Sequence, residues 1–294
     1  MYAEPGRQQG SRRVVTIRYF APAPQLRGLI SSYYWCESAL PVLTDRLRAE
    51  LGQVRFLIAG GLTCAYDDGR VVDCPRSLLS GPTGGPVTTC AYGPLKVFGA
   101  GLMPAGWAAL IGADADELAD TVVELGSLFG GRAAGAHQAI GEASSDTARV
   151  AAADRFFTAL LTSSRTVPTW FTRLADDWLI ASPNPCVDAL VSASGMSNRQ
   201  VERWTKRHYG ASPKLLARKY RALQAAVRLG CGEADTWAEA AGDSFYDQSH
   251  FIREFKQFIG VTPTQFLAGG APVSRLTIER RQLVPGMPRL ALYS

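Results

Sequence analysis

The sequence has little that would place it in a membrane or in an oxidising compartment. No apolar run approaches the roughly 20 residues needed to span a bilayer. The N-terminal stretch has no apolar core after its basic residues, which argues against a signal peptide. The six cysteines include no CxxC pair. We therefore expect reduced thiols in a cytoplasmic protein.

Signatures of common catalytic and metal sites are also missing. The three histidines are isolated and form no ligand pair of the kind that zinc requires. There is no GxSxG motif and no Ser-His-Asp set, and the glycine-rich stretch at 81–85 lacks the lysine that a phosphate loop needs. The sequence therefore favours a protein that is not an enzyme and that uses no metal and no cofactor.

The 294 residues, 47% hydrophobic and 19% charged, are enough for two soluble domains. From Val14 to about Gly101, short β-rich runs alternate with glycine, proline and aspartate turns. This pattern predicts an N-terminal α+β domain with a small antiparallel β barrel or sandwich of the cupin-like kind. Within it, Asp67-Asp68-Gly69 predicts a hairpin turn.

After Leu102 the apolar spacing becomes helical. The segments 103–112, 113–130, 146–164 and 168–182 predict helices, whereas 131–145 look like a loose connection. Ser182-Pro183-Asn184-Pro185 is a breaker that marks a domain boundary. For the tail, disorder and added phosphate contacts are both open. The predicted units are a sensor or dimerisation domain at 14–130, a helical connector at 131–182, an all-α domain at 183–268 and the tail at 269–294.

Residues 186–268 contain an internal repeat with an offset of fifty residues. Tyr209-Gly210 and Ser212-Pro213 of the first copy correspond to Ile259-Gly260 and Thr262-Pro263 of the second. Serine or threonine caps a helix well, and proline suits its first position because the missing N–H needs no partner there. Each copy is therefore predicted to be a helix stopped by glycine and followed by a newly capped helix.

The first copy also has the layout of a helix-turn-helix. An apolar helix ends at Gly195, and Ser197 opens a second helix. From Ser197 to Arg228 nine basic residues stand against one acid, Glu202. This excess suits a polyanionic partner, although a solvated helical face is the other explanation of a charge run.

Two strings in this region resemble a known family. SNRQVERWTKRHYGASPKLLARKYRALQAA and DQSHFIREFKQFIGVTPTQF resemble the two helix-turn-helix halves of AraC-type (AraC/XylS) transcriptional regulators. The more specific part is Phe-x-Arg-x-Phe-Lys followed by Gly-Val-Thr-Pro. More loosely, IRYFAPAPQLRGLISSYYW and the segment through MPAGWAALIGADADELADTVVEL resemble an uncharacterised sensor domain attached to one branch of that family.

The resemblance implies a DNA-binding regulator with two recognition helices joined by a long helix from Pro213 to about Leu229. The two helices would enter major-groove segments of double-stranded DNA roughly 34 Å apart. A small-molecule effector, a second copy of the chain and RNA polymerase are further partners that the resemblance admits. Activation and repression both stay open.

By the same resemblance, the first recognition helix carries base readers at Arg199, Glu202 and Arg203 and phosphate contacts at Ser197 and Lys206. In the second helix Phe251, Phe255 and Phe258 anchor the inner side, and Asp247 is the N-cap. The full set of candidate DNA-binding residues is Ser197, Asn198, Arg199, Glu202, Arg203, Lys206, Gln248, Ser249, His250, Arg253 and Lys256.

Each of these residues has a simpler explanation. The arginines suit surface salt bridges, Glu202 can pair with Lys206 one turn away, and His250 can cap or pack. Ser244 stands where the family has glycine, and Glu239 where an apolar residue is usual. These departures put the aim of the second recognition helix in doubt.

Two other functions stay open at this stage. One is a thiol-based sensor modified at Cys64, Cys74 or Cys90, although buried free thiols are the commoner explanation of such residues. The other is a helical protein-interaction module, which the basic excess argues against. Aromatic residues of the first domain can line an effector pocket, or they can fill the barrel as in most small barrels.

Overall fold

The computed structural model describes residues 15–163, 169–270, 272–279 and 287–293. The first domain is built on one antiparallel sheet in the order β1-β2-β7-β4-β6-β8, with β3 on β7 and β5 on β4. Its strands are β1 (Val15–Phe20), β2 (Ile30–Ser38), β3 (Val42–Leu47), β4 (Gln53–Ala65), β5 (Val71–Asp73), β6 (Ser77–Ser80), β7 (Val87–Leu102) and β8 (Val122–Glu124).

Strand β7 organises the sheet because it is long enough to pair with different strands along its length. Its second half pairs with β2 from Leu95 onward, and its first half pairs with β3 up to Tyr92. β4 runs beside it over nearly its whole length, with register shifts near Ala59. The predicted hairpin turn is confirmed: the Tyr66 N–H donates to the Arg70 carbonyl at 2.9 Å, between β4 and β5.

The rest of the chain is mainly helical. The helices are α1 (Pro104–Leu110), α2 (Leu125–Phe129), α3 (Gly131–Glu142), α4 (Asp146–Ser163), α5 (Trp170–Ala181), α6 (Val187–Ser194), α7 (Asn198–Tyr209), α8 (Pro213–Gly230), α9 (Trp237–Ala241), α10 (Gln248–Ile259), α11 (Pro263–Leu267) and α12 (Pro272–Glu279). In the described part of the chain, no helix has the length and apolar character needed to cross a membrane.

Two local expectations between 113 and 145 are wrong. Residues 113–130 hold only the short α2, because the β-branched Val122 and Val123 pair with β6 as strand β8. Residues 131–142, expected to be a loose connection, form α3. Ala133, Ala136 and Ile140 recur at helical spacing and are buried against the sheet domain, which outweighs the glycines of this segment.

In the tail, for which the sequence left disorder and added phosphate contacts open, residues 272–279 form the helix α12. The Ser274 hydroxyl accepts from the Arg48 N–H at 3.1 Å, and the Val273 N–H donates to Asp45 Oδ2 at 2.6 Å. These contacts with β3 and the residue after it fix the helix on the first domain. The expectation of disorder for 280–286 lies outside the described residues.

Most of the buried hydrophobic side chains in the described residues belong to two large cores. The sheet, α1, α3 and α4 share the first, which contains Phe56, Phe98 and Phe157. Helix α5 and the helices from α6 to α12 share the second, which contains Phe171 and Phe251. The predicted connector is therefore divided: α3 and α4 pack with the sheet, and α5 packs with the helix-turn-helix region.

Candidate nucleic-acid interface

The first recognition helix, α7, has its start fixed by local signals. The Ser197 hydroxyl accepts from the Gln200 N–H at 3.4 Å, and Gln200 Oε1 accepts from the Ser197 N–H at 2.9 Å, which makes a capping box. Gly195 before it and Gly210 after it adopt the left-handed conformation expected of glycine stops. The predicted helix, turn, helix order of the first copy is confirmed.

Helix α7 turns Val201 and Thr205 into the core and its polar residues outward. A shallow surface hollow runs along this polar side. Gln200 is one of its lining residues that the sequence reasoning missed, and the Ser-x-x-Gln capping box was the signal for it. The hollow is lined by Ser197, Arg199, Gln200, Glu202, Arg203 and Lys206.

Glu202 and Lys206 form an ion pair on this surface, which is the alternative role that the sequence allowed for Glu202. Lys206 Nζ lies 2.8 Å from Glu202 Oε1, and this hydrogen bond raises the pKa of Lys206. About half of each side chain is exposed. A pair so open to water contributes little to stability and can exchange for a phosphate or base contact.

The second recognition helix, α10, repeats the arrangement. Asp247 Oδ1 accepts from the His250 N–H at 2.7 Å, so Asp247 is the N-cap that the sequence predicted. Phe251, Phe255 and Phe258 are fully buried and anchor the helix. The exposed residues on the other side are Gln248, Ser249, Arg253 and Lys256.

His250 is only half-exposed and lies among local partners. Its Nδ1 accepts from the Tyr246 N–H at 3.4 Å, and its Nε2 lies 3.4 Å from Glu254 Oε1. Its ring also meets Phe245 edge to face. These contacts fit the packing explanation, and a base contact by His250 stays a prediction.

The serine at position 244 does not distort the turn before α10. Residues Gly242–Ser244 form a 3-10 turn in which the positive φ of 48° falls on Gly242. Ser244 does not have a positive φ, so no glycine is needed there. Its carbonyl accepts from Arg221 Nη1 at 3.1 Å, which ties the turn to α8.

A buried carboxylate holds α10 on α8, and the sequence reasoning missed it. Glu254 is 2% exposed. Its Oε1 accepts from Arg218 Nε at 2.6 Å, and its Oε2 accepts from Arg221 Nη2 at 2.5 Å. Burial raises its pKa, but hydrogen bonds from the two arginines bring it below the ordinary value. The available signal was two arginines three residues apart on one helix face.

The basic excess between 197 and 228 is therefore smaller on the surface than in the sequence. Arg218 and Arg221 neutralise Glu254, Lys219 is buried, and Arg207 Nε lies 3.0 Å from Asp114 Oδ1. The basic residues left on or near the exposed recognition surfaces are Arg199, Arg203, Lys206, Lys214, Arg253 and Lys256.

The first domain contacts both recognition helices near their C-terminal ends. The Ala115 N–H donates to the Arg207 carbonyl of α7, and the Ala49 N–H donates to the Phe258 carbonyl of α10, each at 2.8 Å. Carbonyls in the last turn of a helix lack intrahelical partners, so these bonds satisfy groups that would otherwise need water. Both helices are thereby positioned by the same domain.

A cavity of about 100 Å³ lies within the first domain. At its polar end Arg55 donates to Tyr34 Oη at 2.9 Å and to Glu50 Oε2 at 2.8 Å. Within the described residues, the buried Gln53 Oε1 has no hydrogen-bond partner. Most of the lining is apolar, and α12 supplies two residues of it. The lining residues include Leu43, Leu62, Ala91, Leu95, Val97, Val273 and Thr277.

The fold and the two capped recognition helices define a two-domain protein with a double helix-turn-helix region behind an antiparallel sheet domain. Residues 190–269 match the family model of a helix-turn-helix domain, and residues 18–124 match that of a domain of unknown function, DUF6597. The chain thus carries an AraC-type helix-turn-helix domain, from a family of transcription regulators, behind a DUF6597 domain. No curated protein sequence matches the chain.

Solved structures give distant matches. ToxT from Vibrio cholerae O395, bound to (E)-4-(8-methylnaphthalen-1-yl)but-3-enoic acid, is 9% identical over 87% of this chain and 99% of ToxT, with a TM-score of 0.46. The AraC-like transcriptional activator CuxR is 13% identical over 73% of this chain and 88% of CuxR, with a TM-score of 0.29. A cupin superfamily protein from Desulfitobacterium hafniense DCB-2 is 12% identical over 32% of this chain and 83% of its own, with a TM-score of 0.25.

Proposed function

We propose that this protein is a sequence-specific DNA-binding transcriptional regulator and not an enzyme. It inserts α7 and α10 into successive major-groove segments of double-stranded DNA. The observation that carries the proposal is the pair of capped helices held by one connecting helix, α8, each with a buried inner side and an exposed polar side. At about 1.5 Å per residue, an 18-residue helix spans roughly 27 Å. That length suits two readers about one helical turn of DNA apart.

Arg203 and Arg253 are the side chains expected to read bases, because each is exposed near the middle of its recognition helix. Arginine makes a bidentate contact to guanine in the major groove. We expect Arg203→Ala and Arg253→Ala each to cost about 1–3 kcal/mol of binding free energy and to relax specificity at one position. The measurement is equilibrium binding to DNA selected from sheared genomic fragments by the full-length protein.

Arg155→Ala is the matched control, because Arg155 is an exposed arginine on α4 of the first domain. It should leave affinity and sequence preference unchanged. If Arg203→Ala and Arg253→Ala also leave sequence preference unchanged, the docking arrangement is wrong. Salt dependence separates DNA binding from a protein-interaction role, since each phosphate contact adds about 0.9 to the log–log slope.

We also propose that a small molecule in the cavity controls DNA binding. The cavity combines an apolar lining with the Arg55–Glu50 ion pair at one end and a Gln53 oxygen that accepts no hydrogen bond from the described residues. This combination suits a small, mostly apolar molecule that carries a hydrogen-bond donor. Helix α12 lines the cavity and also packs against α8, so a displacement of α12 would reach the DNA-binding region.

A larger side chain at the cavity wall tests whether the cavity contains free volume. Ala91 lines it, whereas Ala100 is buried in the closely packed core of the same sheet. We expect Ala91→Leu to change the free energy of unfolding by less than about 1 kcal/mol, and Ala100→Leu to cost about 1–3 kcal/mol through overpacking. Urea unfolding of both variants measures this. Equal costs would show that the cavity has no free volume.

Ala91→Leu also tests whether a ligand in the cavity regulates DNA binding. A small molecule that raises the Tm of the wild-type protein and shifts its DNA affinity should do neither in Ala91→Leu. An effector that acts equally on both proteins binds elsewhere, and dimerisation through the first domain would then become the preferred mode of control. Contact with RNA polymerase is part of the proposal only as a consequence of binding near promoters.

A further inference from the structure

Two cysteines meet on the hairpin at the end of β4. Cys64 Sγ and Cys74 Sγ lie 3.5 Å apart. Cys64 is paired with Val72 across β4 and β5, and the Cys74 N–H donates to the Leu62 carbonyl at 2.8 Å. The two cysteines are therefore diagonal neighbours on one side of the hairpin, where the pairing of β4 with β5 fixes their separation.

We propose that Cys64 and Cys74 are an oxidisable dithiol that closes to an intramolecular disulfide when it meets a peroxide. The sulfurs need to approach from 3.5 Å to about 2.05 Å, which rotation of the two side chains can supply. The hairpin already holds the two side chains in contact, so the shift needed to close the bond is confined to this short hairpin.

The surroundings favour reaction at Cys64. Hydrogen bonding from the Cys74 thiol lowers the pKa of Cys64, and the positive charge of Arg55 acts in the same direction. Cys64 also lines a small cavity beside Arg55, Tyr66 and Ser80. A thiolate is the reactive form of cysteine, so the thiolate is expected on Cys64 and the resolving thiol on Cys74.

The chemical steps balance with one hydrogen peroxide. The Cys64 thiolate attacks one peroxide oxygen and breaks the O–O bond, which gives a sulfenic acid and a hydroxide that takes a proton to become water. The Cys74 sulfur then attacks the Cys64 sulfur, the S–O bond breaks, and the leaving hydroxide takes the Cys74 proton. In total, two thiols and one peroxide give one disulfide and two waters. A dithiol reductant reverses the change by thiol–disulfide exchange.

The other cysteines supply internal controls. Cys186 is exposed, Cys36 is half-buried, and burial raises the pKa of the Cys36 thiol to about 11. Cys90 is also a free thiol. Among the described residues, Cys64 and Cys74 are the pair whose sulfurs are in contact. A peroxide should therefore link this pair before it forms any other crosslink.

The test uses the full-length reduced protein. It is treated with hydrogen peroxide, quenched with catalase, alkylated and digested without reduction, and the peptides are identified by mass spectrometry. We expect the free thiols to fall from six to four, with one Cys64–Cys74 crosslink that a dithiol reductant removes. In Cys74→Ser protein no crosslink should form, and dimedone should label Cys64 as the sulfenic acid.

Two results would overturn the proposal. One is a wild-type protein that keeps both thiols at a peroxide dose that oxidises Cys186. The other is a Cys64 that becomes sulfinic or sulfonic acid, or crosslinks to another cysteine, while Cys74 stays alkylated. If the Cys74→Ser protein does not fold, the wild-type experiment is sufficient to test the proposal. Cys36→Ser should leave the crosslink unchanged.

Discussion

Glu254→Ala is expected to release the second recognition helix from α8 and to lower the free energy of unfolding by about 3 kcal/mol. The carboxylate is 2% exposed and accepts from both Arg218 and Arg221. Without it, two neighbouring guanidinium groups face each other with no counter-charge. Arg221 is mostly covered, with 13% of its side chain exposed, so leaving its charge unpaired costs more than the ion pair itself contributes.

The consequence for DNA should be selective, because Glu254 lies in the second helix-turn-helix unit and the first has its own caps. In footprinting, we expect Glu254→Ala to lose protection of one half-site and keep the other. Urea unfolding followed by circular dichroism gives the stability change. Glu117→Ala, at an exposed acid of the first domain, is the control and should change neither quantity.

A second variant, Glu254→Gln, separates the effect of the charge from the effect of the side-chain shape. The amide keeps the shape and one acceptor oxygen but loses the charge, so its effect should lie between those of wild type and Glu254→Ala. Loss of both half-sites in Glu254→Ala would contradict the independence of the two units. An unchanged stability would show that the two arginines find other partners and that the network is not what holds α10.

The features that the sequence predicted well are those with local causes. Ser197 and Asp247 each accept a hydrogen bond from the residue three positions ahead. The residues of a single turn are therefore enough to predict where each helix starts. The glycine stops at Gly210 and Gly260 depend on left-handed conformations that few other residues adopt. The repeat of these signals at an offset of fifty residues predicted two similar helical units, and the family resemblance implied that they form a double helix-turn-helix.

The features that the sequence did not predict depend on contacts between distant residues. Arg48 and Ser274 are 226 positions apart, and their hydrogen bond holds a tail helix that has weak signals of its own. Glu254 and Arg218 are 36 positions apart, so the sequence did not show that two arginines of the basic excess, Arg218 and Arg221, are paired with a buried carboxylate. Among the candidate site residues, all but Lys206 and His250 are exposed, and the contacts of these residues with DNA stay a prediction.

The contact between α8 and the first domain predicts a pH dependence. Lys219 is 3% exposed, and its Nζ donates to the carbonyls of Glu50 and Thr83, each at 2.8 Å. Burial lowers its pKa to about 8 from the ordinary 10.5, although the charges of Asp120 and Glu50 oppose the shift. Between these two values the unfolded chain binds more protons than the folded protein. The contribution of Lys219 to stability therefore rises with pH across this window, whereas Cys36, whose pKa burial raises to about 11, acts in the opposite direction.

We expect the free energy of unfolding to rise by about 1.5 kcal/mol from this group between pH 8 and 9.5. The upper limit stays below 10 because burial raises the pKa of Tyr33, Tyr34 and Tyr209, which acts in the opposite direction once unfolded tyrosines ionise. The measurement is urea unfolding at a series of pH values for wild type and for Lys219→Met.

Lys219→Met removes the titrating group and leaves the other ionisable residues in place, so the difference between the two curves isolates Lys219. The variant leaves two carbonyls without a donor and should be less stable at every pH in the window, by about 1–3 kcal/mol for each carbonyl that water does not reach. Its deficit relative to wild type should grow as the pH rises. A constant deficit would mean that Lys219 keeps its ordinary pKa, and the charged ammonium would then be an integral part of the contact between the first domain and α8.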